Sequence, residues 1–260
     1  MKNFLYKLFK FLGFRLISNS VDKDIQKEIN YLKKNNEKLK YLLSDNISKK
    51  KELFNFYEFS KSQICQDWFV LESLNYKKDG YFVEIGAASG VDLSNTYLLE
   101  KKYNWNGILS EPAPGWKESL ERFRSCKKDY RCVFSESGKK VSFSQTKEKE
   151  YSTIIDFSNS DKHQNKRKDF TKYEITTVTL NDLLKENNAP TEIDYISIDT
   201  EGSEYEILKN FDFQRYSFKV LTVEHNNTIN KTLIDELLIK NGYKKLLEDM
   251  SQFESWYVKF

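Results

Sequence analysis

The chain has 260 residues, 42 Lys and Arg against 39 Asp and Glu, and a formal net charge of +3. That length suits one domain of about 200 residues plus an extension, and the interspersed charges exclude the clustered basic face that nucleic-acid binding requires. Cys65, Cys126 and Cys132 are too few and wrongly spaced for a zinc ribbon or a disulfide framework, and a sparse, odd set of thiols fits a reducing cytosol.

Residues 1–17 mix Phe4, Leu5, Leu8, Phe9 and Leu12 with Lys2, Lys7, Lys10 and Arg15. The lysines break the apolar run and no small-residue cleavage site follows, which makes it a poor secretory signal. No stretch reaches the length of a membrane span. On a helix, Leu5, Leu8, Phe9 and Leu12 share one face, the pattern of a helix lying on an anionic leaflet or packing on a protein surface. The expectation is a cytoplasmic protein in peripheral contact with the inner face of the membrane through residues 1–18. Residues 21–60 contain no Pro or Gly and read as helical. Ile25, Leu32 and Leu39 are spaced by sevens, as are Ile29, Asn36 and Leu43, so the two sets fall on the d and a positions of a heptad. An Asn at an a position fixes register in a dimeric coiled coil, which predicts a homodimer through residues 21–60. The segment is short for a coiled coil, and a plain surface helix is the alternative.

From residue 61 onward strands and helices alternate. The patterns predict strands over 81–86, 107–111, 131–134, 140–145, 174–178, 193–199, 219–225, 243–248 and 254–260. Helices are predicted over 92–103, 115–124, 180–187, 203–209 and 230–241. Such alternation predicts a mostly parallel sheet covered by helices, with the 19 Phe and 16 Tyr supplying its core. Residues 146–173 interrupt the alternation. They are polar and charged, and read as a solvated insertion or a lid, with His163 exposed to solvent.

The most informative stretch is Tyr81–Gly90. An apolar strand ends in Glu84, and Gly86, Ala87, Ser89 and Gly90 form the turn into the next helix. The glycines permit a tight turn and a close approach of a ligand to bare main chain. Ala88 stands where a dinucleotide motif carries its middle glycine, and no Gly-Lys-Ser/Thr follows, which excludes a phosphate-cradling loop. Glu111 ends the second strand ahead of Pro112, where a carboxylate can accept hydrogen bonds from ribose hydroxyls, and Asp199 ends the strand over 193–199. Three carboxylates at three strand ends line the edge where such sheets bind ligands.

These stretches, together with Ser62-Gln63, Gln66-Asp67, Leu93–Glu100, Thr179–Leu184, Ile193–Leu208 (which contains Asp-Thr-Glu-Gly-Ser-Glu) and Val223-Glu-His225, resemble the FkbM family of methyltransferases over roughly residues 60–260. The resemblance implies a class I methyltransferase fold: a Rossmann-like three-layer α/β sandwich whose mostly parallel seven-stranded sheet closes with an antiparallel C-terminal hairpin. It implies S-adenosyl-L-methionine as cofactor and, most often, O-methylation of a sugar or another hydroxylated metabolite. Glu84 and the turn Gly86, Ala87, Ser89 and Gly90 would hold the methionine end. Glu111 and Pro112 would hold the ribose, with Ser135 and Glu136 near the adenine. Asp199 is the first candidate to orient the acceptor or take its proton, with His225 second. Glu201 joins them as a catalytic candidate that would hydrogen-bond acceptor hydroxyls, and Glu204 and Glu224, with Asp67, Asn95 and Thr96 within the matching motifs, are candidates to contact the acceptor. Glu204 would otherwise cap the helix it begins. Asp199, Glu201, Glu224 and His225 could serve Mg²⁺, but their spacing is not specific and no metal is assigned. The alternatives are a methyltransferase of a non-sugar metabolite and a non-catalytic protein that binds the cofactor and interacts through its coiled coil.

Overall fold

The computed structural model describes residues 36–38, 40–41, 53 and 56–259. The chain divides into two compact units, Met1–Ser48 and Lys49–Phe260. In the first, residues 36–38, 40 and 41 are helical, Asn36 is exposed, and Lys40 pairs with Glu37 one turn away at 3.0 Å. The expected membrane-facing segment 1–18 and the heptad residues Ile25, Ile29, Leu32, Leu39 and Leu43 lie outside the described residues. Among the described residues no helix is long and apolar enough to cross a membrane.

In the second unit a 3-10 turn at Tyr57–Phe59 precedes α1 (Gln66–Ser73), and the chain continues through β1 (Tyr81–Ile85), α2 (Tyr97–Tyr103), β2 (Asn106–Ser110), α3 (Lys117–Phe123), β3 (Lys127–Asp129) and β4 (Cys132–Val133). There follow β5 (Lys140–Thr146), β6 (Thr153–Ile154), β7 (Phe170–Val178), α4 (Leu180–Glu186), β8 (Glu192–Ile198) and α5 (Glu204–Lys209). The chain ends with β9 (Ser217–Glu224), α6 (Asn230–Lys240), β10 (Lys244–Leu246), α7 (Glu248–Ser251) and β11 (Glu254–Val258). Seven strands form the main sheet in the order β10-β11-β9-β8-β1-β2-β3. The run from β9 to β3 is parallel, and β11 lies antiparallel to both β9 and β10. This is the strand order of the class I methyltransferase fold, with its closing hairpin.

The sequence produces this sheet because its central strands are apolar throughout. Val83 lies between Ile108 and Ile196, and Ile196 is flanked in turn by Leu221. All four are fully buried, as continuous apolar runs in parallel strands must be. Helix α4 presents Leu180, Leu183 and Leu184 to the same core, the i, i+3, i+4 spacing of one helical face. Its start is fixed by Thr179, whose side chain accepts a hydrogen bond from the Asp182 N–H. The chain leaves β1 for β2 on one side and reaches β8 on the other, so the switch in strand order falls between β1 and β8. Ligands bind outside the carboxyl ends of the strands at such a point.

Several expected elements are displaced. The outer parallel strand is Lys127–Asp129, not residues 131–134; its Lys-Lys-Asp sequence suits an exposed edge and carries no apolar signal. Cys132–Val133 instead pairs with β7 in a second sheet, ordered β4-β7-β5-β6. That sheet has its own small core of Ala113, Cys132, Phe143, Ile154 and Ile175, against which Phe134 and Phe157 pack. The polar segment 146–173 is therefore folded: it holds β6, three 3-10 turns and the start of β7. Helix α2 begins at Tyr97 rather than at residue 92, after Leu93 adopts a positive φ of 64°. The closing strands are joined through α7, bounded by Leu247 and Gln252, both at φ 52°.

Candidate active site

The carboxyl ends of β1 and β8 meet closely. The Asp199 N–H donates to the Ile85 carbonyl at 3.0 Å, and a Cβ on Gly86 would lie 1.7 Å from the Asp199 carbonyl oxygen. Gly86 has a φ of +82° and Gly90 one of +72°, so the turn needs glycine for its conformation, and at Gly86 also for the close approach. Ala88 takes a φ of 45° between them, holding as alanine the left-handed conformation that the usual glycine would supply. Ser89 Oγ accepts from the N–H groups of Val91 and Asp92 at 3.2 and 2.9 Å, and the N–H of Ala87 donates to the Ser110 carbonyl.

Two acids flank this turn and serve it differently. Glu111 lies beyond the end of β2. One of its oxygens accepts from the Ala88 N–H and the other from the Ala113 N–H, both at 2.8 Å. Burial pushes its carboxyl up to about 7, against the two N–H groups that pull it down, and Asp199 and Glu84 add to the rise. Each oxygen keeps a lone pair for a further donor, so the pair suits the two adjacent hydroxyls of a ribose. The residues present thus fit a nucleoside-bearing cofactor: an acceptor pair beside a glycine turn of bare main chain. Glu84 points into the frame instead. It accepts from Ser94 Oγ at 3.0 Å, the Asn95 N–H at 2.6 Å and Thr96 Oγ1 at 2.5 Å. These bonds commit its carboxylate to protein partners, where the sequence suggested the methionine end of a ligand.

Arg124 completes this frame. Its guanidinium is buried, lies 3.6 Å from Glu84, donates to Glu100 at 2.8 Å, and reaches the Gly90 carbonyl, Ser94 and Thr96. Arg124 and Ser125 hold the Glu100 carboxyl down to about 2 in spite of its burial. This role has no signature in the sequence, because an Arg just past a short charged helix looks like any surface cation.

On the other side of the switch point Asp199, Glu201 and Glu224 converge, their oxygens within 4.8 Å of one another. That spacing would let one hard cation be shared among them. Burial pushes Asp199 up to about 7, with Glu204, Glu84 and Asp161 adding repulsion, while a hydrogen bond with Glu224 acts against the rise. Glu224 and Glu201 are held well above the usual carboxylate range by burial and by the charge of Asp199.

The insertion supplies the cation that faces this cluster. Arg167 is buried and donates from Nη2 to Glu201 at 2.6 Å. Asp161 clamps it through both carboxylate oxygens at 2.8 and 2.9 Å, and the carbonyls of Tyr151 and Ser158 take its remaining N–H groups. Thr153 Oγ1 donates to the Glu201 carbonyl at 3.1 Å, and Asn226 reaches Asp161 at 3.3 Å. The segment expected to be solvated is thus docked on the loop that follows β8.

The remaining candidates fall in two groups. Asp67 accepts from Ser60, Ser62 and the Trp68 N–H. Thr96 is fully buried in the Glu84–Arg124 frame. Glu204 accepts from the N–H groups of Thr200 and Gly202 and closes the turn ahead of α5. All three side chains are thereby engaged by the protein. His225 Nδ1 accepts from the Asn227 N–H at 3.0 Å. Burial, with Lys231 and Lys245 on α6 and β10, pushes it down to about 4, and it does not join the three acids. Asn95 is buried, donates to Ser197 at 2.9 Å and keeps an unpartnered carbonyl oxygen. Pro112 and Ser135 are half-buried, whereas Glu136 is exposed and paired with Lys139. His163 is half-buried and stacks on Tyr151 at 4.8 Å rather than facing solvent.

Comparisons with known proteins give a family. The profile described as "Methyltransferase FkbM domain" matches residues 84–245. A search of curated proteins returns no match. Among solved structures, the chain is similar to precorrin-6y C5,15-methyltransferase from Geobacter metallireducens GS-15, at 14% identity and a TM-score of 0.41, over 78% of this chain and 93% of that one. It is similar to the METTL16 methyltransferase domain at 12% identity and a TM-score of 0.43, over 74% and 64% of the two chains. It is also similar to Aeropyrum pernix fibrillarin with natively bound S-adenosyl-L-methionine, at 10% identity and a TM-score of 0.36, over 70% and 66%. The family profile spans more than half of the chain and contains both the Gly86–Gly90 turn and the Asp199–Glu201–Glu224 cluster. The chain belongs to the FkbM methyltransferase family, and its cofactor is S-adenosyl-L-methionine.

Proposed function

We propose that the protein transfers a methyl group to a hydroxyl of a sugar or surface-glycan precursor. The observation that carries this reading is the convergence of Asp199 with Glu201 and Glu224 at the strand switch point, where burial pushes the Asp199 carboxyl up to about 7. A hydroxyl must lose its proton as it is methylated, and a base whose pKa lies near the working pH serves that step best. The cofactor supplies an electrophilic methyl group on a sulfonium centre. Glu111 would accept from the ribose hydroxyls, the bare main chain of Gly86–Gly90 would take the methionine end, and Ser135 and Glu136 would serve the adenine side. Asp199 takes the acceptor proton. Glu201 and Glu224 accept from or donate to neighbouring hydroxyls, which favours an acceptor with several of them. Residues 1–18 hold the enzyme at the inner face of a membrane, where surface glycans are assembled, and residues 21–60 pair two chains. The test is turnover on a panel of bacterial surface monosaccharides and their nucleotide-activated forms, alongside amine acceptors, with the methylated atom located by NMR. Methyl transfer to a sugar hydroxyl supports the reading. Transfer to amines alone, or cofactor binding with no turnover, contradicts it.

A further inference from the structure

We propose that the insertion carries a second carbohydrate subsite, a pocket for one pyranose ring beside the acceptor side of the active site, so that the acceptor is held at two sugar units. The proposal rests on the sugar-acceptor reading above and extends it to a part of the molecule outside the cofactor and acid clusters.

A cavity of about 240 Å³ lies between β5, the start of β7 and the turns of the insertion. That volume is below the roughly 300–1,000 Å³ of pockets for larger ligands and suits a single ring. Ser144, on β5, lines it. Its side chain alternates with Phe143, which packs in the small core of the second sheet. Ser144 is 1% exposed, and its Oγ has no hydrogen-bond partner. A buried hydroxyl left unpaired is unfavourable, and a ligand hydroxyl in the cavity would satisfy it. Asn159, Gln164 and Asn165 also line the cavity, and their amides are exposed and form no hydrogen bond among the described residues. Phe170, the first residue of β7, adds a ring that is 49% exposed. Uncommitted amides, an orphaned hydroxyl and one accessible aromatic face are the groups that recognise a sugar ring: the amides and the hydroxyl bond its hydroxyls, and its C–H face packs on the aromatic ring.

The cavity and the acid cluster share a wall. Arg167 lines the cavity, and its Nη2 is 2.6 Å from Glu201. All five of its N–H donors are taken by the carbonyls of Tyr151 and Ser158 and the carboxylates of Asp161 and Glu201, so it partitions the two spaces without offering either a free hydrogen bond. A sugar in the cavity is therefore neighbour to whatever the acid cluster holds.

The test uses the full chain saturated with S-adenosylhomocysteine and three probes: methyl α-D-glucopyranoside, methyl α-D-galactopyranoside and methyl β-D-glucuronide. Saturation-transfer NMR should show ring protons of at least one probe in contact with the protein. Phe170→Ala and Gln164→Ala change exposed side chains, and each should weaken that binding about tenfold while leaving S-adenosylhomocysteine affinity unchanged. If a probe binds both variants as it binds the wild type, the sugar sits elsewhere and the cavity is not a subsite. If no probe binds although S-adenosylhomocysteine does, the proposal also fails. Sugar methylation by the wild type with an acceptor KM unaffected by either variant would overturn the subsite alone. Absence of methylation on every sugar would overturn the acceptor reading together with it.

Discussion

Two acids of similar appearance in the sequence do different work. Glu84 and Glu111 both follow apolar strand residues, yet Glu84 is enclosed by Ser94, Asn95 and Thr96, whereas Glu111 accepts from two backbone N–H groups, one on each oxygen, and keeps a lone pair on each for a ligand hydroxyl. Glu111→Ala should weaken S-adenosylhomocysteine binding by roughly 1.5–3 kcal/mol, the range for a hydrogen bond to a charged group. Calorimetry measures it, and an unchanged affinity would remove Glu111 from the cofactor site. Arg124 is the residue on which the Glu84 frame depends. Arg124→Leu would leave Glu84 and Glu100 buried without their cation, and removing one member of such a buried set costs about 3–5 kcal/mol. A thermal-unfolding midpoint within a degree or so of the wild type would show that the frame does not need the guanidinium.

At the scale of elements, the contact between β1 and β8 is the narrowest fit in the site. Gly86→Ala places a methyl group against the Asp199 carbonyl, which belongs to the backbone and cannot rotate away. The strands must part, and Ala is strained at φ +82°. The variant should lose both stability and cofactor binding, and a crystal structure superimposable on the wild type at residues 85–87 and 198–200 would contradict the argument. This junction was legible in the sequence: Gly86 follows an acid at the end of an apolar strand, and Asp199 ends the next strand of the same character. The second sheet was not. Its pairing of β4 with β7 joins residues more than forty positions apart, and β6 lies in a segment whose overall polarity masks Ile154, Ile155 and Phe157. Arg167 escaped for the same reason. It sits in a run of Lys, Asn and Asp, and only the folded insertion brings it to Glu201.

For the whole molecule, the concentration of buried acids makes stability depend on pH in an unusual direction. Asp199 and Glu111 are raised to about 7 and Glu254 to about 8. An acid raised in the folded state holds its proton where the unfolded chain has lost it, so between roughly pH 4.5 and 7–8 stability falls as pH rises. His225 opposes this, since it is depressed to about 4 from 6.5 and costs stability as pH falls through that interval. Its contribution is nearly exhausted above the middle of the range, where the acids still titrate. Thermal unfolding of the protein without cofactor should give a higher midpoint near pH 6 than near pH 8, at roughly constant ionic strength. A midpoint that climbs across that interval would show that the acids are not held protonated. The proposed membrane contact is tested on the same full chain. Each Lys or Arg near an anionic surface is worth about 1 kcal/mol, screened by salt, so binding to phosphatidylserine vesicles should fall steeply with ionic strength and disappear without residues 1–18. Salt-independent binding, or none, would remove the membrane from the account.

Asp199→Asn is the most direct test of the central claim, that Asp199 takes the proton of an acceptor hydroxyl. The amide keeps the shape of the side chain and cannot act as a base. Turnover on the sugar acceptor should fall by roughly 10²–10⁴-fold, while S-adenosylhomocysteine affinity stays close to that of the wild type, and the wild-type rate should rise with pH through about 7 as Asp199 ionises. Wild-type turnover in Asp199→Asn, with an unaltered pH profile, would contradict it.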